Sequence, residues 1–282
     1  MKLKKSIYLV TATVLFTACS SDLVKKEVFS GYAQKGPFVA GSSVTISELR
    51  ADLTQTGKTY HTTIFDNSGS FELTNIELVS NYVQLKVEGY YFYEAGGWIT
   101  SAPITLYALM DIRDVNSANV NVLTHLEKPR VEYLIKQEKK TFSQAKQQAQ
   151  SEVLAIFGFM PSNTSSETLN LTENAMLIAT SSILQGNRDI PGELAELIAH
   201  ISEDIRTNGT LNNTDLGSKL MNNAIILTTV DVNDNRTILS RIRENLETKY
   251  AELGINVNIP DFESYVQAFV NSELYPRIPL VE

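Results

Sequence analysis

Between residues 111 and 119 the spacing of apolar residues changes from every second position to every third or fourth, and no single regular element carries both periods. Before the change, Val83, Leu85 and Val87 interleave with Gln84, Lys86 and Glu88, and Val44-Thr45-Ile46 and Phe71-Glu72-Leu73 alternate in the same way. Residues 60–65 are β-branched and aromatic. Turn chemistry separates these runs at Lys35-Gly36-Pro37, Ala40-Gly41-Ser42, Asp66-Asn67-Ser68-Gly69 and Gly96-Gly97. Short strands at this spacing predict an antiparallel β-sandwich over residues 28–112.

Beyond the change the period is helical, and residues 119–282 are expected to form an all-α bundle. Val122, Leu123, Leu126, Val131, Leu134 and Ile135 make one apolar stripe, with Pro129 in its middle predicting a kink or a restart. Thr141 and Gln144 form a capping box that opens a helix closed by Gly158. Further helices are expected from Pro191 to about Asn208, from Ile238 to Gly254, and after Asp261, with weaker ones over residues 173–184 and 216–226. The predicted class is α+β and multidomain, a sandwich followed by a helical bundle.

The first residues place the chain before any fold is considered. Lys2, Lys4 and Lys5 precede an apolar run from Ile7 to Phe16, too short to span a bilayer and suited to a signal peptide over residues 1–18. Small residues Thr17 and Ala18 then precede Cys19, the only cysteine of the chain. This arrangement resembles the lipobox of bacterial lipoproteins, which implies cleavage before Cys19 and its lipidation. Residues 19–27 are expected to be a polar tether. Ser20 after the lipidated position resembles an outer-membrane sorting signal, and surface display is the accompanying expectation.

Residues 31–46 and 66–71 resemble the small sandwich of carboxypeptidase regulatory-like and transthyretin-like domains. Together with residues 89–94, 104–109 and 119–127, Arg130 and the helix over 142–157, they resemble a family of Bacteroidetes-type outer-membrane lipoproteins with an N-terminal sandwich and a C-terminal helical domain. The resemblance covers residues 31–159 and implies location and architecture. It implies no activity.

Loss of residues 1–18 removes three lysines from a chain whose formal net charge is already −8, so neither nucleic acid nor an anionic membrane surface is an expected partner. With Cys19 lipidated, no thiol remains for a disulfide, a metal or catalysis. His61, His125 and His200 lack ligand spacing, so no metal is expected. The turn from Asp231 to Asn235 begins like a calcium loop, but Arg236 and Ile242 stand where that loop needs Gly and Glu, which leaves a helix-capping turn. Thr124 is read as a backbone cap, with His125 at the surface or the seam between the halves. No nucleophile elbow, P-loop or dinucleotide fingerprint appears, and no cofactor is expected.

The candidate binding surface is the aromatic stretch Tyr90-Tyr91-Phe92-Tyr93 with Trp98. If the alternation of residues 83–87 continues, Tyr91 and Tyr93 face inward while Tyr90 and Phe92 face outward. The competing possibilities are that the helical half covers this face, or that Gly89 is a bulge that swaps the faces. The expected function is a lipid-anchored, non-enzymatic envelope protein that binds a glycan or a protein partner. The alternatives are a structural or assembly component of an outer-membrane complex and, third, a hydrolase.

Overall fold

The computed structural model describes residues 23–231 and 235–277. The signal segment, Cys19, Ser20 and the start of the tether lie outside the described residues, as do Val232, Asn233 and Asp234 of the acidic turn. Among the described residues the chain is a mixed α+β structure with several antiparallel sheets and seven helices.

The strands are β1 (Val24–Gln34), β2 (Ser43–Leu49), β3 (Gln55–Thr63), β4 (Ser70–Leu78), β5 (Tyr82–Gly89), β6 (Phe92–Tyr93), β7 (Trp98–Ile99), β8 (Ile104–Asp111) and β9 (Val120–Asn121). One antiparallel sheet has the order β3-β2-β5-β8. Its register sets Val44 opposite Val87, Ile46 opposite Leu85 and Val83 opposite Met110, so one face collects the buried residues of three strands. A second sheet has the order β4-β1-β9, antiparallel between β1 and β4 and parallel between β1 and β9. The chain past the change of period therefore returns to this sheet before its first helix. The segment leading to β9 runs beside β1, where Ala118 donates its N–H to the Ser30 carbonyl at 3.0 Å.

Part of the expected tether is strand. β1 starts at Val24, opposite Leu78, and the Lys25 ammonium lies 2.9 Å from Glu77. Lys26 is buried, donating to the Arg113 carbonyl at 3.0 Å. A run that looks like a polar linker becomes a strand because its lysine stems cover apolar surface while their heads find acceptors.

The helices are α1 (Val122–Lys136), α2 (Phe142–Ile156), α3 (Ala175–Gln185), α4 (Pro191–Ile205), α5 (Thr214–Thr228), α6 (Ile238–Glu252) and α7 (Glu263–Ser272). Asn121 and Thr124 close a capping box on α1, and Thr141 and Gln144 close one on α2, which ends just before Gly158 at φ 68°. α1 runs unbroken through Pro129, so the helix does not restart there. A proline in a helix interior costs about 3 kcal/mol. Four fully buried apolar side chains on both sides of it, Leu123, Leu126, Val131 and Leu134, each contribute about 2 kcal/mol and outweigh that. Strands β10 (Val230–Asp231) and β11 (Arg236–Thr237) pair as a hairpin around the acidic turn, and the Thr237 hydroxyl accepts the Ser240 N–H at the start of α6.

One large apolar cluster extends from Phe29 in β1 to Val270 in α7 and takes in buried residues of both sheets and of the helices, and a smaller one packs Leu49 and Leu109 of the sheet against Val131 and Leu134 of α1 and Ala145 and Ala149 of α2. A buried ion pair crosses the larger cluster. Lys35, at the end of the β1 turn, and Glu94, after β6, are 0% and 3% exposed, with Nζ and Oε2 2.7 Å apart. The Ser181 hydroxyl of α3 donates to Glu94 Oε1 at 2.8 Å and also bonds to the Lys35 carbonyl. Burial pulls the Lys35 ammonium below its ordinary value while Glu94 pulls it back up. Lys35→Met should lower the unfolding free energy by about 3–5 kcal/mol, because Glu94 is left buried without a countercharge. The double variant Lys35→Met, Glu94→Gln should regain most of that loss, as read from urea midpoints.

His125 lies at the seam, its ring centroid 5.6 Å from that of Tyr107 in β8 and its Nδ1 buried without a partner. Burial lowers its pKa from 6.5 to about 4, and the nearby Lys128 charge adds to the shift. Between those values the unfolded chain takes up the proton and the folded chain does not, so stability falls as the pH falls through that window. His125→Phe should flatten the decline between pH 7 and 4.5 by about 2 kcal/mol relative to the unsubstituted protein, measured by urea unfolding at both values.

Candidate functional site

The aromatic stretch does not continue the strand alternation, because β5 ends at Gly89 and the chain turns into the separate β6–β7 hairpin. Tyr91 and Tyr93 are buried, as the alternation predicts, and Tyr90 is 44% exposed. Phe92 departs from the expectation at 5% exposed, with the Lys249 ammonium of α6 5.5 Å from its ring centroid. The expected outward pair of Tyr90 and Phe92 therefore does not form. Trp98 is 52% exposed, the most exposed ring of the stretch.

The hairpin carrying Trp98 is held from three directions. The Glu94 side chain belongs to the buried pair, while its carbonyl accepts the Asn245 amide of α6 at 2.7 Å. At Gly36 an added Cβ would lie 2.0 Å from the Phe92 carbonyl oxygen, so only glycine lets the Lys35-Gly36-Pro37 turn pass this close. Phe92 also donates its N–H to the Pro37 carbonyl at 2.9 Å. Trp98 packs edge-on to Tyr93 with centroids 5.5 Å apart, across Gly96. Its indole N–H donates to Asp189 Oδ2, in the connection between α3 and α4, at 2.6 Å.

These contacts leave a cleft of about 610 Å³ between the hairpin, the α3–α4 connection and α6, within the usual range for small-molecule sites. α6 contributes Arg241, Glu244, Asn245 and Thr248, spaced as neighbours on one helical face beside its core stripe of Ile242, Leu246 and Tyr250. Asn187, Asp189, Tyr93, Trp98, Asp231 and Arg236 complete the lining. Arg236 pairs with Glu244, and Arg241 lies 3.8 Å from Asp231. Asp189 Oδ1 and Arg241 Nε are buried without hydrogen-bond partners among the described residues. Burial pushes the Tyr93 hydroxyl well above its ordinary pKa, so it remains a neutral donor.

Of the sequence candidates, the structure brings Trp98 to this cleft, places Phe92 in the lining of a smaller neighbouring depression and leaves Tyr90 outside both. The stripe 241, 244, 245 and 248 was readable at helical spacing. Asp189 and Asn187 carry no sequence signal, since only the fold sets them against the hairpin.

Elsewhere, Glu127 and Glu167 are both buried, and both bond to the Lys146 ammonium. Burial pushes the Glu127 carboxyl up, against the pull of Lys146. One ammonium bridges these two carboxylates, and Ser166 and Ser165 take further oxygens. Among the described residues no group of three or more His, Cys, Asp or Glu is placed to hold a metal, and no helix is long and apolar enough to cross a membrane.

Comparison with protein-family models, with curated proteins and with solved structures gives no match.

An exposed indole beside paired ions, amides and a hydroxyl suits reversible binding of a polar ligand with an apolar face. Its pose depends on Gly96, where an added Cβ would lie 2.6 Å from both the Trp98 and Tyr93 rings. Gly96→Ala should push the indole outward and raise acrylamide quenching of the fluorescence of Trp98, the sole tryptophan, with the melting temperature little changed.

Proposed function

We propose that this chain is a lipid-anchored protein of the bacterial cell envelope that binds a glycan, without catalysis, in the cleft beside Trp98. The observation that carries the proposal is the half-exposed indole, held by Asp189 over a cleft of amides and paired ions. Sugars present an apolar ring face for stacking and a rim of hydroxyls for amides and carboxylates, and this cleft offers both.

The anchoring part rests on the charged first residues, the short apolar run and Thr17-Ala18-Cys19. Outer-membrane location with surface display rests on the residues after Cys19 and on the resemblance of residues 31–159 to envelope lipoproteins. The finer architecture, a β-sandwich followed by a helical bundle, is supported by the shared apolar cluster of the two sheets. It is supported also by the packing of α1 on α2 and α4 and of α3 on α5 and α7.

Affinity capture of the native lipidated protein, run beside two variants, tests both parts. Cys19→Ala should leave the membrane fraction and lose the lipid mass. Trp98→Ala should stay in the membrane, keep its melting temperature and release the captured glycan. Capture of an envelope protein that survives loss of Trp98 would replace glycan binding with a structural role in an envelope complex.

A further inference from the structure

Trp98 stands between two depressions. Beside the larger cleft, a second one of about 130 Å³ lies further along α6, lined by Phe92, Gly97 and Ile99 of the hairpin and by Lys249 and Glu252. The two share Trp98, Asn245 and Thr248 as a common wall. From Arg241 to Glu252 the helix advances about 16 Å, so the depressions form one groove with the indole at its middle. A groove divided by an aromatic ring suits a linear ligand that crosses the ring, with different partners on the two sides.

The charges along this groove choose the kind of chain. Each described cation in it has an acidic neighbour: Arg236 has Glu244, Arg241 has Asp231, and Lys249 lies 3.8 Å from Glu252. Asp189 is the remaining carboxylate, and it holds the indole N–H. The described lining residues thus carry four carboxylates against three cations, and an acidic chain would have to break an existing ion pair to find a countercharge. A neutral chain meets no such barrier. Its hydroxyls both donate and accept, which the carboxylates, amides and guanidinium groups of the walls require. The partnerless Asp189 Oδ1 and Arg241 Nε add to this, because a small shift of either side chain toward an incoming hydroxyl would satisfy a buried polar atom.

We infer that the groove binds a neutral oligosaccharide of at least two units laid across Trp98, with the first unit in the larger, more polar depression and the next in the smaller one. This rests on the glycan-binding function proposed above and adds ligand charge, length and direction along α6.

The single tryptophan makes the test direct. The full mature chain in detergent is titrated with neutral mono- to tetrasaccharides of the cello, xylo, manno and malto series, and with galacturonate oligomers of the same lengths, following indole fluorescence. The expected result is at least one neutral series in which the tetrasaccharide binds about tenfold or more tighter than the monosaccharide, with the uronate series weaker still. Ile99→Asn, on the smaller side, should weaken the tetrasaccharide and leave the monosaccharide unchanged. Asn187→Ala, on the larger side, should weaken both. Tighter binding of uronates, or equal binding of monomer and tetramer, overturns the inference and leaves glycan binding standing. No response to any saccharide overturns both.

Discussion

The Lys35–Glu94 ion pair, closed by the Ser181 hydroxyl, joins three parts of the chain that are far apart in sequence: the turn after β1, the β6–β7 hairpin and α3. A buried pair of this kind adds little net stability over an apolar replacement, since desolvation offsets most of the attraction. Its effect is on uniqueness. With both charges out of water, only one relative placement of turn, hairpin and helix leaves neither unpaired, and every alternative packing leaves a bare charge in the apolar cluster. The close backbone approach at Gly36 narrows the choice further. The hairpin that carries Trp98 is thereby fixed relative to α3, and through the Glu94 carbonyl and Asn245 also relative to α6. One residue, Glu94, ties the core to the candidate site.

Similar polar ties recur within the helical half and between it and β1, in a chain whose only cysteine is the residue expected to carry lipid. Asn121 caps α1 and donates to the Ser166 carbonyl, and Gln34 at the end of β1 both donates to Asn170 and accepts the Leu171 N–H. Arg130 binds Glu152 through two nitrogens and reaches the Thr207 carbonyl, joining α1 and α2 to the end of α4. The ties join residues from 22 to 137 positions apart, and those of Gln34 bind β1 to Asn170 and Leu171 in the connection between α2 and α3, so the strand half and the helical half hold one another. Continuity of the apolar cluster across the change of period has the same consequence: the two halves stabilise one another.

Local signals were legible in the sequence and long-range ones were not. The alternation at Val83, Leu85 and Val87 and the capping box at Thr141 depend on neighbours within a few residues, and the structure shows both. The extra strand at Val24 was hidden because Lys25 and Lys26 read as linker until Glu77 and the Arg113 carbonyl are seen opposite them. Phe92 was placed on the wrong face by extending a period beyond Gly89, where an added Cβ would lie 2.0 Å from the Ser42 hydroxyl oxygen and the strand stops. The outward pose of Trp98 is likewise long-range, since it comes from Gly96, Tyr93 and Asp189.

Apart from Tyr90, which is 44% exposed, the place of each ring in the stretch follows from what it could otherwise reach. Tyr91 places its hydroxyl on Gln185 at 2.9 Å and Tyr93 sits under Trp98, so both tyrosines bury their rings. Phe92 has no polar atom to satisfy and takes the position against α6. Trp98 alone combines a large apolar face with a donor whose acceptor, Asp189, lies at the rim rather than in the core. Satisfying that donor holds the indole at the surface with its position set, and the ordering that a ligand would otherwise have to impose is already in place. A core built to fix one hairpin has, as its consequence at the surface, a preorganised ring over a polar groove.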